Sequence, residues 1–339
     1  MLAAGEDTEG SFSARVTRRW RAVDALLPVP GTPARHCAAE LIVAAAAARP
    51  AAIGTCEHWE GAPASLDLTW GAARRFRLTA QIAGPDVADA LDQLPSLWRD
   101  HLEGLPGAGG QDTAAVVTWP SRDIDGVKVL LRHGFAPLAV IAARPAGRHF
   151  AGPGRAVPRQ AGPAGQPVQA AAAAGRGVRI RRAGLADIDT VVSLGMEVIR
   201  FDAHFGAVIE RPWTADALRR EAVGRLAGPL AWTWLAERDG MPIGLLHAQR
   251  PDSAGWIAPM ARPVPAAYLE LMFVAPGERG RGVGAALAAE LHREADAAGA
   301  AVTLLHYEQL NPLSGPFWNQ QGYRPLWTSW EARPAGLIR

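Results

Sequence analysis

Apolar and polar residues alternate over residues 268–274, which predicts a β-strand in the second half of the chain. A side-chain period of two gives this strand two faces, one with Tyr268, Glu270, Met272 and Val274 and the other with Leu269, Leu271 and Phe273. A carboxylate among so many apolar neighbours is expensive to bury without a function. Glu270 is therefore a candidate functional residue.

The same patterning predicts regular elements on both sides of this strand. Asp239-Gly240 suits the tight turn of a hairpin between two of the predicted strands. Residues 250–265 are a Pro-rich loop. The predicted strands are 178–181, 231–237, 242–249 and 301–307, and the predicted helices are 187–201, 213–226 and 285–298.

A glycine-rich turn, Arg279-Gly-Arg-Gly-Val-Gly-Ala285, lies between the strand at 268–274 and the following helix. Backbone N–H groups at a helix start have no intrahelical partner and carry the positive end of the helix dipole. Glycines let an anion approach them closely. The turn lacks the Gly-Lys-Ser/Thr of a Walker loop and the spaced glycines of a Rossmann turn. It predicts a site for a nucleotide-like diphosphate.

A second motif lies downstream, with Asn311, the pair Phe317-Trp318 and Gly322-Tyr323 in that order. Together with Arg279-x-x-Gly282-x-Gly284, it resembles the signature of the GNAT superfamily of acyl-CoA-dependent N-acyltransferases. The resemblance extends over residues 178–334. It implies an α/β (α+β) fold in which a mixed, mostly antiparallel sheet is flanked by helices. In this fold strands four and five, here 268–274 and 301–307, splay apart.

The resemblance also implies that acetyl-CoA, or another acyl-CoA, is the co-substrate. In the family, the pantetheine arm pairs with the backbone of strand four and the glycine turn holds the phosphates. Carried over position by position, the CoA-binding residues are Met272, Phe273, Val274, Arg279, Gly280, Arg281, Gly282, Val283, Gly284, Ala285, Asn311 and Trp318.

Acyl transfer to an amine needs a group that takes the amine proton. Glu270 is the first candidate, and strand four of aminoglycoside 6'-N-acetyltransferases has a similar sequence with a Glu at this position. A surface or salt-bridging Glu is the alternative. His306 is the second candidate, and a rim histidine without a catalytic role is an equal alternative. Where the family often has a tyrosine that protonates the thiolate, this chain has Trp318, which cannot serve as an acid. Tyr307 is the candidate replacement; alternatively no acid is needed, since a thiolate is a tolerable leaving group near neutral pH.

The segment between the first two helices of the second half usually shapes the acceptor site in this family. Here it contains Asp202, His204 and Phe205, which we take as candidate substrate-binding residues. A helix-end cap is an alternative role for Asp202.

The first half repeats the end of this pattern in weakened form. Gly134 aligns with Gly322 and Asp123 with Asn311, and both segments close on Ala-Arg-Pro. The stretch at 81–105, where the turn should fall, contains Gly84-Pro85 and no helix start led by glycines. We therefore expect a tandem GNAT arrangement: a degenerate domain at 1–145, an Ala/Pro/Gly-rich linker at 146–177 and a catalytic domain at 178–339. The first half would complete the second sheet or wall the acceptor cleft.

The 339-residue chain has a net charge of +2, and 20% of its residues are charged. This balance predicts neither nucleic acid nor membrane as a partner. Two cysteines, Cys37 and Cys56, do not form a metal-ligand pattern. The first residues include Glu6, Asp7 and Glu9, unlike a signal peptide, so we expect a cytoplasmic protein. The oligomeric state stays open between monomer and homodimer.

These observations predict an N-acetyltransferase that uses acetyl-CoA and no metal. The expected acceptor is an amine of a small molecule, such as an antibiotic-like or amino-sugar metabolite. Two alternatives remain at this point: acylation of a protein N-terminus or lysine, and a CoA-binding regulatory pseudoenzyme.

Overall fold

The computed structural model describes residues 11–31, 39–44, 50–83, 86–147, 177–228 and 231–339. Its first half contains α1 (Phe12–Val23), β1 (Ala39–Ala44), β2 (Pro50–Glu60), β3 (Arg74–Ile82), α2 (Val87–Glu103), β4 (Thr113–Pro120), α3 (Ile124–Arg132) and β5 (Ala136–Pro145). Its second half contains β6 (Val178–Arg182), α4 (Ile188–Asp202), α5 (Thr214–Leu226), β7 (Trp232–Arg238), β8 (Met241–Gln249), β9 (Ala266–Val274), α6 (Val283–Ala297), β10 (Val302–Glu308), α7 (Ser314–Gln320) and β11 (Arg324–Ala332).

The eleven strands of the described residues belong to one mixed sheet with the order β1-β2-β3-β4-β11-β5-β10-β9-β8-β7-β6. The pairs β3–β4 and β9–β10 are parallel, and the other pairs within these described strands are antiparallel. The mixed, mostly antiparallel sheet flanked by helices confirms the predicted fold class.

The two halves exchange their last strands. β5 comes from the first half but pairs with β10, where Tyr307 lies opposite Val140. β11 comes from the second half but pairs with β4, where Trp330 lies opposite Val117. The first half therefore adds β5 to the sheet of the second half, and the second half adds β11 to the sheet of the first half.

The tandem arrangement is visible in the order of elements. The series β3, α2, β4, α3, β5 in the first half matches β9, α6, β10, α7, β11 in the second half. The aligned glycines have the same backbone conformation, with φ of 83° at Gly134 and 88° at Gly322. Most of the predicted linker, residues 148–176, lies outside the described residues, as do Cys37 and Gly84-Pro85.

The predicted splay between strands four and five is present. β9 and β10 pair only from Ala266 to Leu269 and from Val302 to Leu305. Beyond these rungs, β10 continues beside β5 and β9 continues beside β8. A split therefore opens in the sheet after Leu269 and Leu305.

A β-bulge at Glu270 corrects the predicted alternation of β9. His247 of β8 lies opposite Leu271 and Ala248 lies opposite Leu269, so Glu270 is the extra residue. As a result, Glu270 and Leu271 both face α5, and Phe273 packs on the same side. Leu269, Met272 and Val274 pack toward α6 instead. The expected face of Tyr268, Glu270, Met272 and Val274 was wrong because the bulge shifts the period.

Helices cover both faces of the sheet around the split. α6 buries Leu287 and Leu291 against one face, and each such side chain contributes about 1.5–3 kcal/mol relative to its exposed state. α4 and α5 pack Val191 and Leu218 against the other face of β7–β9. The split thus has an α6 side and an α4/α5 side.

Candidate functional site

The glycine turn after β9 forms a concave backbone site at the start of α6. Gly280 and Gly282 have φ of 75° and 83°, a conformation that favours glycine, and Gly282 is the N-cap of α6. The N–H groups of the first helical turn have no intrahelical partner, and this turn contains no acidic residue. The turn therefore suits a phosphate group and fits the diphosphate of CoA.

The side chains of the turn mainly shape it. Arg279 donates from Nε to the Val274 carbonyl at 3.1 Å and lies over the ring of Phe201, 5.1 Å from its centroid. Arg281 is exposed, 3.7 Å from Glu278. A Cβ on Gly284 would approach Phe317 to 3.2 Å, so this glycine allows α6 and α7 to pack closely. Val283 is buried, and Ala285 lies in the first turn.

The stretch of β9 beyond Leu269 has a strand partner on one side only. Its Met272, Phe273 and Val274 pair with β8, whereas the side facing the split has no strand beside it among the described residues. Such an edge accepts an extended ligand as an added strand. This geometry fits the pantetheine arm that the resemblance implies.

The equivalent place in the first half is built differently. Only residues 83–86 connect β3 to α2, whereas residues 275–282 connect β9 to α6. The N-cap of α2 is Asp86, and Asp89 lies in its first turn. These carboxylates disfavour an anion at this helix start. The cradle is thus a feature of the second half.

The Glu270 carboxylate is engaged with several side chains on the α5 side. It pairs with Arg225, and Gln249 donates from Nε2 at 2.9 Å. His247 Nε2 lies 3.5 Å from the carboxylate and, among the neighbouring side chains, lowers its pKa most. Burial raises the pKa of Glu270, but these neighbours outweigh it and hold the pKa at about 2. The carboxylate is ionised at neutral pH and is a weak proton acceptor.

His306 lies at the point where the strands part. Tyr268 is opposite Leu304 in the parallel register, and its Oη lies 2.9 Å from His306 Nδ1. Part of the His306 side chain is accessible to solvent. The protein atoms around the ring exclude most of the water that would stabilise its charged form, and this desolvation lowers its pKa to about 4. It is therefore neutral at physiological pH, and its Nε2 is on the side away from Tyr268.

The two aromatic candidates on the α6 side differ in accessibility. Tyr307 is half-buried beside Gly315, and burial raises the pKa of its phenol, which stays protonated. Trp318 is only 5% exposed and packs against Phe317 and Tyr323 with centroid distances of 4.8 and 5.4 Å. The indole is thus part of the core.

The end of α4 spans the mouth of the split. Asp202 accepts a hydrogen bond from Asn311 Nδ2 at 3.0 Å, and Asn311 Oδ1 accepts from the backbone of Leu313 and Ser314. Burial raises the pKa of Asp202 to about 6, although the bond from Asn311 lowers it. Asn311 therefore orders the loop before α7 and joins it to α4.

The other two residues of this segment have local contacts. His204 is exposed, and its Nδ1 lies 2.9 Å from the Arg200 carbonyl, where it caps the end of α4. Phe205 stacks edge-on against Phe201 at 5.3 Å. His204 and Phe205 directly follow Asp202 in the chain, and the bond from Asn311 to Asp202 holds this segment beside the mouth of the split.

The first half also forms part of the wall on the α5 side. Leu66 and Trp70 line a small enclosed cavity together with Arg225, His247 and Glu270. Its volume, ≈ 20 Å³, is about that of one water molecule. The loop between β2 and β3 therefore contributes directly to the surroundings of Glu270.

Sequence reasoning did not identify several residues of this region. Glu270 contacts Arg225 and Gln249 directly, and Trp256 is joined to it through Gln249. Glu308 lies two residues beyond His306. Trp256 had one detectable signal, since a tryptophan within a Pro-rich loop is unusual. The partners of Glu270 come from distant strands and helices, and no local pattern marks them.

Within the residues that the structure covers, no group of three or more His, Cys, Asp or Glu side chains is arranged to hold a metal ion. No helix in the described ranges is long and apolar enough to cross a membrane.

Comparison with known proteins places the second half in a family. Residues 200–323 match the sequence model of the Acetyltransferase (GNAT) family. A search of curated proteins finds no match. Among solved structures, a GCN5-related N-acetyltransferase from Sphaerobacter thermophilus aligns with a TM-score of 0.51 and 12% identity, covering 87% of this chain and 80% of its own. This similarity shows a shared fold across both halves.

Two further structures align at lower TM-scores. A GNAT-family acetyltransferase from Colwellia psychrerythraea has a TM-score of 0.46 and 12% identity, with 94% of this chain and 95% of its own covered. A tandem GNAT protein from the clavulanic acid biosynthesis pathway has a TM-score of 0.39 and 16% identity, with 98% and 97% covered. Residues 200–323 thus carry a GNAT acetyltransferase domain, and the duplicated element order and the split beside the glycine cradle agree with this match.

Proposed function

We propose that this protein transfers an acyl group, most simply acetyl, from acyl-CoA to the amine of a small molecule by direct attack. One observation carries the proposal: the split between β9 and β10 has the glycine cradle near its α6 side and the accessible His306 at its origin. Donor and acceptor can therefore approach the same point from opposite faces of the sheet.

The residues of the cradle and of β9 would hold the co-substrate. Backbone N–H groups of Gly280 to Ala285 bind the phosphates, and the free edge of Met272 to Val274 pairs with the pantetheine arm. Bound acetyl-CoA supplies the acyl group as an activated thioester. Arg279 supports the turn from behind, and Asn311 and Trp318 contribute by ordering α7 rather than by direct contact.

His306 fits the role of proton acceptor better than Glu270. An alkyl ammonium has a pKa of about 10, so the amine must lose a proton before or during attack. His306 is neutral, accessible and placed at the split, whereas Glu270 is bound to Arg225 and Gln249. We assign Glu270 to the wall of the acceptor site, where it holds those two side chains in place.

The transfer forms a C–N bond and breaks the C–S bond. An acceptor that arrives as an ammonium loses two protons: the first passes to solvent and leaves the neutral nucleophile, and the second passes to His306 as the C–N bond forms. The sulfur departs as a thiolate, which can stay ionised or take a proton from a protonated side chain. In this proposal the donor is Tyr307, whose phenol is protonated and lies on the α6 side, and it regains its proton from solvent. Asp202, His204 and Phe205 shape the entrance for the acceptor.

A second candidate function is a CoA-binding regulatory pseudoenzyme. It is favoured by Trp318, which occupies the place of the usual tyrosine acid and is buried in the core. This alternative keeps the cradle but predicts no amine-dependent turnover.

The test is incubation of the purified protein with acetyl-CoA and a panel of amines while free thiol is followed. We expect amine-dependent thiol release, and His306→Gln should lower kcat by about 10²- to 10⁴-fold, as for loss of a general base. Glu270→Gln should mainly raise the acceptor KM. Tight CoA binding without release for any amine favours the pseudoenzyme. A larger kcat loss in Glu270→Gln than in His306→Gln would reverse the two assignments.

A further inference from the structure

The segment that joins α4 to α5 forms one side of the proposed acceptor entrance. It follows Asp202 and begins with a 3₁₀ turn, Ala203–Phe205. Residues 206–211 then belong to no helix or strand, and Gly206 has φ of 100°, in the left-handed region that favours glycine. Backbone groups outside regular structure need partners elsewhere. The elements that supply these partners therefore decide where this entrance segment, residues 202–211, lies.

Arg333 supplies two of these bonds. Its Nη1 donates to the Gly206 carbonyl at 2.8 Å, and its Nη2 donates to the Ala207 carbonyl at 3.4 Å. The third nitrogen, Nε, donates to Glu331 Oε2 at 2.6 Å. The side chain is only 21% exposed. All three nitrogens of the guanidinium are thus engaged, and two of them hold the backbone directly after Phe205.

The strand that precedes Arg333 takes its position from the first half. Arg333 directly follows β11, and β11 lies between β4 and β5, both of which belong to the first half. Glu331 lies opposite Val116 of β4 and Ala136 of β5. The pairing of β11 with these two strands therefore fixes the point from which the Arg333 side chain extends.

Further contacts hold the entrance segment at neighbouring points. The Ala207 N–H donates to the carboxyl of Glu308, the last residue of β10. The Ile209 N–H donates at 2.8 Å to the carbonyl of Thr69, which lies in the loop between β2 and β3. The entrance segment is therefore bonded to elements of both halves.

Arg333 is the central residue of the second Ala-Arg-Pro, and its counterpart in the first is Arg144. Arg144 is buried at the end of β5 and lies near Gly322, within the second half. The two arginines thus have different surroundings, and only Arg333 of this pair bonds to the entrance segment. Arg333 also lies outside residues 200–323, so the match to the family model does not account for it.

We infer that Arg333 is a positioning residue for the acceptor: it holds Gly206 and Ala207 and thereby fixes Asp202 and Phe205 at the mouth of the split. The inference rests on the proposed function. It gives the first half a part in the reaction, because β4 and β5 hold β11 in place. An arginine suits this role, since its planar fork bonds to two carbonyls and one carboxylate at once, a geometry that lysine does not reproduce.

Hydrogen exchange of the full-length protein tests the hold on the segment. Arg333→Gln removes the charge and the fork, and Arg333→Lys keeps the charge but loses the fork. The amides of residues 206–211 should exchange at least about tenfold faster in Arg333→Gln than in the wild type, with Arg333→Lys in between. Arg220→Gln is the matched control, because Arg220 of α5 donates to the Ala64 carbonyl at 2.8 Å and likewise joins the two halves. Equal exchange in Arg333→Gln and the wild type overturns the inference.

Kinetics distinguish positioning from a purely structural role. With butylamine and tyramine as probe amines, Arg333→Gln should raise the KM for the amine about 3- to 10-fold, while kcat, the KM for acetyl-CoA and the Kd for CoA change less than about twofold. A structural role alone would lower the melting temperature and leave the ratio of the amine KM to the acetyl-CoA KM unchanged. That result overturns the inference, as does an equal rise in amine KM in Arg220→Gln.

Two outcomes separate this inference from the proposed function. CoA binding without thiol release from the wild type with either amine counts against the proposed function, and the exchange measurement then decides the inference. Thiol release that responds equally to Arg333→Gln and Arg220→Gln supports the proposed function and refutes the inference.

Discussion

At the scale of single residues, the contact between Tyr268 and His306 ties the two strands together where they separate. The phenol is buried, and its pKa is raised, so it stays a neutral hydroxyl beside the imidazole. The bond fixes the orientation of the His306 ring and leaves Nε2 for the acceptor side. Tyr268 is therefore a positioning residue in our proposal.

Replacing Tyr268 with Phe removes this bond and keeps the ring. We expect kcat to fall about 2- to 10-fold, which corresponds to the net value of about 0.5–1.5 kcal/mol for one hydrogen bond. The KM for acetyl-CoA should stay constant, and the apparent pKa of His306 in the pH–rate profile should shift. Because burial lowers the pKa of His306 to about 4, full kinetics over a pH range that extends below this value are needed to measure both effects. A general loss of stability with an unchanged pH profile would indicate a purely structural role.

Glu308 is a second informative residue because its carboxyl is buried and Oε2 has no hydrogen-bond partner in the described structure. Burial, with a smaller contribution from the charge of Asp202, raises its pKa from 4.5 to about 8. The folded state therefore binds a proton that the unfolded state releases. The resulting stabilisation is complete below pH 4.5 and is lost as the pH rises toward 8.

Glu308→Gln removes this titration while preserving the shape of the side chain. The difference in melting temperature between variant and wild type should increase in favour of the variant from pH 5 to pH 8 and then level off. Each pKa unit corresponds to about 1.4 kcal/mol. Thermal melts at pH 5, 6.5 and 8 measure the trend, with the exposed Glu60→Gln as control. A difference that does not change with pH would contradict the assignment.

At the scale of elements, helix α6 has a glycine in the left-handed conformation at each end. Gly282 begins the helix with φ of 83°, and Gly299 follows its end with φ of 73°. A β-branched residue at either position would have to adopt this left-handed conformation, which lowers the stability of the folded state by about 1–2 kcal/mol. Only the first of these positions faces the proposed phosphate site.

We therefore expect Gly282→Val and Gly299→Val to lower the melting temperature similarly but to differ in CoA affinity. Gly282→Val should weaken CoA binding more than tenfold, whereas Gly299→Val should leave it nearly unchanged. Calorimetric titration with CoA and thermal melts supply the two readouts. Equal CoA affinity in both variants would remove the phosphate role from this turn.

Much of this level was predictable from the sequence. α6 was expected at 285–298 and runs from Val283 to Ala297, and β10 was expected at 301–307 and runs from Val302 to Glu308. The glycines of the cradle were recognisable because few other residues adopt their backbone conformation. The bulge at Glu270 was not, since it depends on how β9 pairs with β8. The links from Glu270 to Arg225 and from Tyr268 to His306 likewise arise from distant pairing.

At the scale of the whole molecule, the strand order is symmetric about the central pair of β11 and β5. Outward from this pair, β4 corresponds to β10, β3 to β9 and β2 to β8. The repeated Ala-Arg-Pro endings revealed the duplication, but the last strands of the two halves, β5 and β11, have similar sequence patterns. The sequence alone therefore could not distinguish exchanged strands from strands that return to their own half.

The exchange makes each half dependent on the other. Without the first half, β10 loses β5 as its neighbour from Val302 to Glu308, and β11 loses both of its partners. This leaves unpaired strand edges and exposes side chains such as Trp327 and Trp330, which are each 4% accessible in the whole chain. Neither half is expected to fold alone.

Cleavage at a protease site introduced within residues 148–176 tests this dependence. The two fragments should stay together in size-exclusion chromatography and keep the melting temperature and CoA affinity of the intact chain. After separation in denaturant, each fragment should fail to give a cooperative melt, and mixing should restore it. The intact chain carried through the same denaturant and refolding steps is the control. A second-half fragment that melts cooperatively and binds CoA by itself would show that the exchanged strand β5 is dispensable.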